Sequence, residues 1–107
     1  TKAEVFFTIG SSAVTGTEEA KLRAFAQWMK DYPSAKATLT GYADAGTGNA
    51  EINRTISQKR TEHVKKMLIE KYGIDASRLS TDFKGDQVQP FKENDSNRVV
   101  IGVAKEQ

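Results

Sequence analysis

From about Ala50 to Tyr72 the chain holds a helical period with no glycine or proline, and Gly73 follows as a stop. At about 100° per residue, Ile52, Ile56, Val64 and Met67 fall on one side of that helix, with Leu68 at the margin. Such a stripe has to be laid on another element, and the flanking segments offer a sheet. Lys36 to Tyr42 (KATLTGY) alternates Ala37, Leu39 and Gly41 against Thr38, Thr40 and Tyr42, the pattern of a half-buried strand. Glu4 to Ile9 (EVFFTI) is a β-prone run closed by Gly10-Ser11. Leu79 to Lys84 is a weaker strand and Val99 to Val103 a strong one. A first helix places Leu22, Phe25, Ala26 and Met29 on one face. Thr15 and Glu18 have capping-box spacing at its start, with Thr17 an equally placed cap, and Pro33 ends it. Asp75 to Arg78 fits one short helical turn, and a polar loop with Pro90 and the Lys92 to Asn97 cluster precedes the last strand.

The order β-α-β-α-β-β predicts an α/β (α+β) two-layer sandwich, two long helices packed on one face of a small mixed sheet. No repeat or linker interrupts it, so residues 1–107 read as one domain. A chain of this length buries roughly two-thirds of its unfolded surface and needs no staple. It has none, because it contains no cysteine, which also removes thiol catalysis and thiolate metal sites. A mean hydropathy of −0.58 and the lack of a long apolar run argue against a transmembrane helix. The opening TKAEVFFTIG lacks signal-peptide features and reads as an excised domain or a mature chain. A formal net charge of +2 is too small to argue for nucleic acid by itself.

Arg60 is the anomaly. It projects into the middle of the apolar stripe, four residues after Ile56 and four before Val64. An arginine there either snorkels, with its stem on the core, or waits as a preorganised guanidinium for a carboxylate it can hold in two places. Asp44 lies just past the second strand, at the carboxyl end where α/β sheets collect ligands. Together with Asn53, one turn before Arg60, and the backbone N–H groups of the helix start, the pair suits a zwitterion. Asp44 would take an ammonium and Arg60 a carboxylate. The competing reading is that Asp44 and Arg60 pair with each other.

These residues also carry a family resemblance. Gly41-Tyr42-Ala43-Asp44, Gly48, Asn53, Ile56-Ser57-Gln58-Lys59-Arg60 and Asn97-Arg98-Val99-Val100 follow one another in the pattern of the OmpA-like C-terminal domain. Phe7-x-x-x-Ser11 and the Gly85 to Pro90 loop match as well, so the chain resembles the family over nearly its whole length. The resemblance implies non-covalent, non-catalytic binding of peptidoglycan through the diaminopimelate of its stem peptide. It implies a place on the periplasmic side of the Gram-negative outer membrane, with a barrel or lipid anchor N-terminal to Thr1, and leaves a homodimer of the longer protein open. It assigns the ligand-gripping Asp to Asp44, the carboxylate-binding Arg to Arg60 and the pocket Asn to Asn53, with Gly48 in the loop and Arg98 lining the pocket from the last strand. No cofactor or metal is implied. Ala43, Ile52, Thr61 and Val99 depart from the pattern, and the stretch from Asp44 to Asn53 is one residue longer; the Asp–Arg pair stays intact.

The remaining signals are weaker. His63, the only histidine, has no second His or Cys for a metal site and reads as half-buried and structural. Lys59, Lys65 and Lys66 give a basic segment broken by Glu62 and Glu70, a solvated face before a nucleic-acid or phosphate-ligand surface, which stays as the alternative function. The Gly46/Gly48 loop lacks the Lys-Ser/Thr ending of a phosphate loop, and Ser11, Ser12 and Ser57 have no base arranged beside them.

Overall fold

Ala37, Leu39 and Gly41 point to one side of a strand and are buried, whereas Lys36 and Thr38 on the other side are exposed. That alternation decides which face of the sheet receives the helices. A computed structural model describes all residues, Thr1 to Gln107. In chain order the elements are β1 (Lys2–Phe6), α1 (Gly16–Asp31), β2 (Lys36–Gly41), α2 (Ala50–Glu70), a 3₁₀ turn (Ala76–Arg78), β3 (Leu79–Phe83), a second 3₁₀ turn (Asn94–Asn97) and β4 (Val99–Lys105). The sheet runs β1-β4-β2-β3, with β4 antiparallel to both β1 and β2, and β3 parallel to β2. It is the expected two-layer α/β fold, two helices on a four-stranded mixed sheet.

This topology positions the site. With β4 reversed between them, β1, β2 and β3 all run the same way. The segments that leave β1, β2 and β3 therefore gather at the same end of the sheet as the segment that enters β4. Ligand sites of α/β sheets favour such carboxyl ends.

The core joins Ala3 and Val5 of β1, Leu22, Phe25, Ala26 and Met29 of α1, Leu39 of β2, Val64 and Leu68 of α2, and Val100 and Ala104 of β4. Each large apolar side chain buried there contributes about 1.5–3 kcal/mol. Phe25 packs on Gly102, where an added Cβ would stand 3.2 Å from its ring. Both helices are also tied at their ends. Arg78 donates to the carbonyls of Met29 (2.7 Å), Tyr32 (2.8 Å) and Ala35 (2.9 Å), holding the C-terminus of α1. Glu19 near the start of α1 accepts from Tyr72 (2.7 Å) and pairs with Lys71, beyond the end of α2. No helix is long and apolar enough to cross a membrane.

Three expectations change. The apolar stripe of α2 is real only in its second half. Val64 and Leu68 are buried and Met67 partly so, but Ile52 is 56% exposed and the buried positions of the first half are Asn53, Ser57, Arg60 and Thr61. The reason is the approach to β2: a Cβ on Gly41 would overlap the Thr61 hydroxyl and the Ser57 carbonyl oxygen, so only small polar side chains fit between. That contact turns Ile52 and Ile56 away from the core. Next, β1 is Lys2–Phe6, short of the expected Ile9; Phe7 still donates to Arg98 (2.8 Å), but Thr8 and Ile9 leave the sheet. Finally, Thr15 occupies the N-cap of α1 without a side-chain cap, and Glu18 accepts from the Phe6 backbone (2.7 Å), so the capping box does not form.

Candidate functional site

Three segments close around a depression of about 260 Å³ at the end of the sheet. The chain leaving β1 contributes Ile9 and Gly10, the loop after β2 contributes Ala43 to Gly48, and α2 contributes Ile52, Asn53, Ile56 and Arg60. The segment before β4 stands behind the β2 loop and braces it: Asn94 accepts from the Gly46 backbone (3.0 Å) and Gln89 from Ala45 (3.0 Å).

Asp44 is 2% exposed, and its carboxylate is held by neighbouring side chains. The Thr47 hydroxyl reaches both oxygens (3.0 and 2.9 Å), and the Asn94 amide donates to one of them (3.0 Å). Arg98 is its nearest cation, at 3.8 Å. Burial pushes the Asp44 carboxyl up, but the Thr47 and Asn94 hydrogen bonds and the Arg98 charge outweigh it and hold the group below its ordinary value. Asp44 is an anion at neutral pH.

Arg60 is 1% exposed and pairs with no carboxylate. Its Nε donates to Ser11 O (2.9 Å), one Nη to Tyr42 O (3.2 Å) and the other to Thr8 O (3.2 Å), and its guanidinium carbon lies 5.3 Å from the Phe7 ring centroid. Those bonds leave two of the guanidinium's N–H donors without a protein acceptor. Burial and the nearby Arg98 charge lower its pKa to about 10, with Asp44 opposing. Arg60 therefore stays charged at neutral pH as a cation short of counter-charge. The sequence offered snorkelling, mutual pairing or a waiting guanidinium; the side chain neither reaches water nor pairs with Asp44.

Asn53 and Gly48 act together on the loop. The Asn53 amide nitrogen donates to Thr47 O (2.8 Å) and to Asp86 Oδ2 (2.9 Å), and approaches Asp44 O (3.4 Å). Its N–H groups thus hold the loop. The Asn53 Oδ1 has no donor in the chain, and every fully buried side-chain polar atom is satisfied, so this oxygen keeps an open side toward the depression. Gly48 adopts φ +67, and a Cβ there would stand 2.8 Å from Asn53 Oδ1. The start of α2 is already capped, with Asn49 Oδ1 accepting from Ile52 N (2.9 Å).

The resemblance puts Arg98 in the lining of the pocket. Arg98 does not line the depression; its Nε donates to Phe7 O (3.0 Å) and its Nη1 to Asp95 (3.2 Å), which turns the guanidinium behind Asp44. It supports the anion from the rear. Thr47, Asn94, Ile9 and Ile56 belong to the site or its brace and escaped sequence reasoning. The Ile56-Ser57 step was visible, but its apolar member reads as core by periodicity alone. His63 is half-buried and structural, its Nδ1 2.6 Å from Ser12 O, which fixes the loop that Arg60 also holds. Lys59 and Lys66 are exposed on the outer side of α2, and Lys66 lies 3.9 Å from Glu70.

Fold and site together define a small α/β module that sets a buried anion and a buried, unpaired cation in one surface depression. The OmpA family model matches residues 6–100, and the chain belongs to the OmpA family. It is 37% identical over 102 residues to outer membrane protein 40 of Porphyromonas gingivalis, covering 95% of this chain and 26% of that protein. The chain thus spans about a quarter of the length of that relative. The fold is shared with the peptidoglycan-associated lipoprotein from Burkholderia pseudomallei (TM-score 0.87, 24% identity, 96% of this chain and 90% of that one). It is shared too with the cell wall anchor of the T6SS from Pseudomonas aeruginosa (TM-score 0.73, 24% identity, 94% of this chain and 76% of that one).

Proposed function

We propose that residues 1–107 form a non-catalytic module that binds peptidoglycan non-covalently by gripping the zwitterionic end of a diaminopimelate side chain. The single observation that carries this reading is Arg60, a buried cation with two free N–H donors and no carboxylate partner. A ligand carboxylate supplies the missing charge in the bidentate geometry guanidinium favours. The ligand's ammonium, on the same carbon, meets Asp44 and the open Asn53 Oδ1. Its methylene chain crosses the apolar rim formed by Ile9, Ile52 and Ile56. Membership of the OmpA family, and a relative named as an outer membrane protein, support the same conclusion. They also support a place in the cell envelope, with the module facing the wall from the periplasmic side of the outer membrane.

Co-sedimentation with purified sacculi tests this. The module is expected in the pellet, released by added diaminopimelate and absent from the pellet for Asp44→Asn. Sedimentation that neither treatment alters contradicts it.

A further inference from the structure

The amide of Asn53 is buried and can be turned only one way. Its nitrogen faces three oxygens: Thr47 O at 2.8 Å, Asp86 Oδ2 at 2.9 Å and Asp44 O at 3.4 Å. Carbonyl and ionised carboxylate oxygens accept and never donate, so the amide oxygen has no place there. Oδ1 is left toward the depression that Asp44 also lines. Of the three acceptors, the two carbonyls belong to the loop that Asn53 itself holds. Only Asp86 comes from another segment, and only Asp86 carries charge. It follows β3, and Gly85 is what brings it against α2. Gly85 adopts φ +57, and a Cβ there would stand 3.1 Å from Arg54 Cα. The Gly85 N–H donates to Ser57 Oγ (3.0 Å), and its carbonyl accepts from Ala43 N (2.8 Å). Gln87 Nε2 then donates to Asp86 Oδ1 (2.8 Å), which leaves Oδ2 for Asn53. Asp86 forms no salt bridge in the chain and does not line the depression.

We infer that Asp86 is a positioning residue that makes the depression select an ammonium group, acting through Asn53. The inference rests on the proposed diaminopimelate site. Asp86 holds Asn53 by its nitrogen, so the amide meets a ligand as an acceptor and never as a donor. The charge of Asp86 also polarises the amide along the hydrogen bond and makes Oδ1 a stronger acceptor. Asp44 therefore acts on the ammonium directly, and Asp86 acts through one neutral group. That indirection has a physical reason. A second carboxylate inside the depression would compete with the ligand's own carboxylate for Arg60. Behind Asn53, the extra negative charge strengthens the ammonium pole and leaves Arg60 free.

The test is calorimetric titration of the intact chain with two probes, each blocked at one end as the N-acetyl amide. One is diaminopimelate; the other is aminopimelate, which keeps the free carboxylate and lacks the free ammonium. The ratio of their affinities reads the ammonium pole. Asp86→Asn keeps an acceptor for Asn53 and removes the charge. It is expected to lower the ratio about three- to tenfold, as a charged hydrogen bond exceeds a neutral one, with aminopimelate affinity held within about twofold. The Asn53 side-chain amide protons, followed by NMR, should stay protected from exchange in Asp86→Asn, which separates lost charge from a loosened loop. Asp86→Ala removes the acceptor as well, so the ratio should fall further and those protons exchange faster. An unchanged ratio in both variants, or an equal loss for both probes, overturns the role of Asp86 and leaves the Asp44 and Arg60 site standing. Failure of blocked diaminopimelate to bind the wild-type chain overturns both.

Discussion

Asp44 and Arg60 line one depression but do not pair. Asp44 is held by Thr47 and Asn94 and faces Arg98 at 3.8 Å, while Arg60 is held by the carbonyls of Thr8, Ser11 and Tyr42. Each charge is fixed from behind by groups that are not its opposite in the pocket. An ion pair across the pocket would cancel the field a zwitterion needs. Separate scaffolding keeps both charges available, and the anchoring carbonyls and hydroxyl keep them in place when no ligand is bound.

Arg60→Lys separates charge from geometry. Lysine keeps the cation but offers a point charge in place of a planar fork, and it cannot satisfy three carbonyls at that spread. Affinity for diaminopimelate is expected to fall by about 10- to 100-fold, the value of a charge-assisted hydrogen bond. A lower melting temperature should accompany it, because Thr8, Ser11 and Tyr42 lose their donor. Titration calorimetry and thermal unfolding on the same preparation check both.

Asp44 sets the acid limit. Its carboxyl lies below the ordinary value of 3.8, so the folded state favours the ionised form. The stability this supplies is complete above that ordinary value and is lost as pH falls through the lowered folded one. Ligand affinity should hold down through that ordinary value and fall only as pH drops through the lowered folded one. In Asp44→Asn the acid limb of the melting-temperature profile should flatten and the affinity at neutral pH should drop. A profile for Asp44→Asn that superimposes on the wild type contradicts the assignment.

Element order, both helices and the Asp44 and Arg60 positions were legible in the sequence, because hydrophobic period and turn residues report on local geometry. What they do not report is which neighbour a face meets. Ile52 and Ile56 read as core by angle, yet Gly41 admits only Ser57 and Thr61 against β2, and the isoleucines become the pocket rim. The family resemblance assigned Arg98 to the pocket, but its side chain turns to Phe7 and Asp95. Asn94 and Thr47 were invisible, since a polar residue in a polar loop carries no periodic signal; only the approach of two distant loops gives them partners.

Asn94 is expected to act on binding without touching ligand. It bonds both the Gly46 backbone and the Asp44 carboxylate, so it sets the position of the loop and the orientation of the anion. Asn94→Ala should weaken diaminopimelate binding by about tenfold while shifting thermal unfolding little, as the residue is exposed and outside the core. Asn94→Asp should be worse than alanine, placing a second carboxylate against Asp44. Calorimetry of both variants gives the order.

Gly41→Ala tests the packing that creates the pocket. The new methyl meets the Ser57 backbone carbonyl and the Thr61 hydroxyl, so α2 must move away from β2. Overpacking of this kind costs about 1–3 kcal/mol, and more where backbone is the obstacle. Thr61→Ala added to Gly41→Ala should recover only part of the loss, since the Ser57 carbonyl remains. Denaturant unfolding of the single and double variants measures the recovery.

The central claim is that Arg60 waits for a carboxylate on the same carbon as an ammonium. With the amine and carboxylate at one end blocked as the N-acetyl amide, lysine is diaminopimelate without that carboxylate, so titrating the chain with the two blocked ligands in parallel isolates it. The account predicts saturable binding of blocked diaminopimelate and binding of blocked lysine at least about tenfold weaker, a difference that shrinks in Arg60→Lys. Equal affinities for the two blocked ligands in the wild-type chain would contradict it.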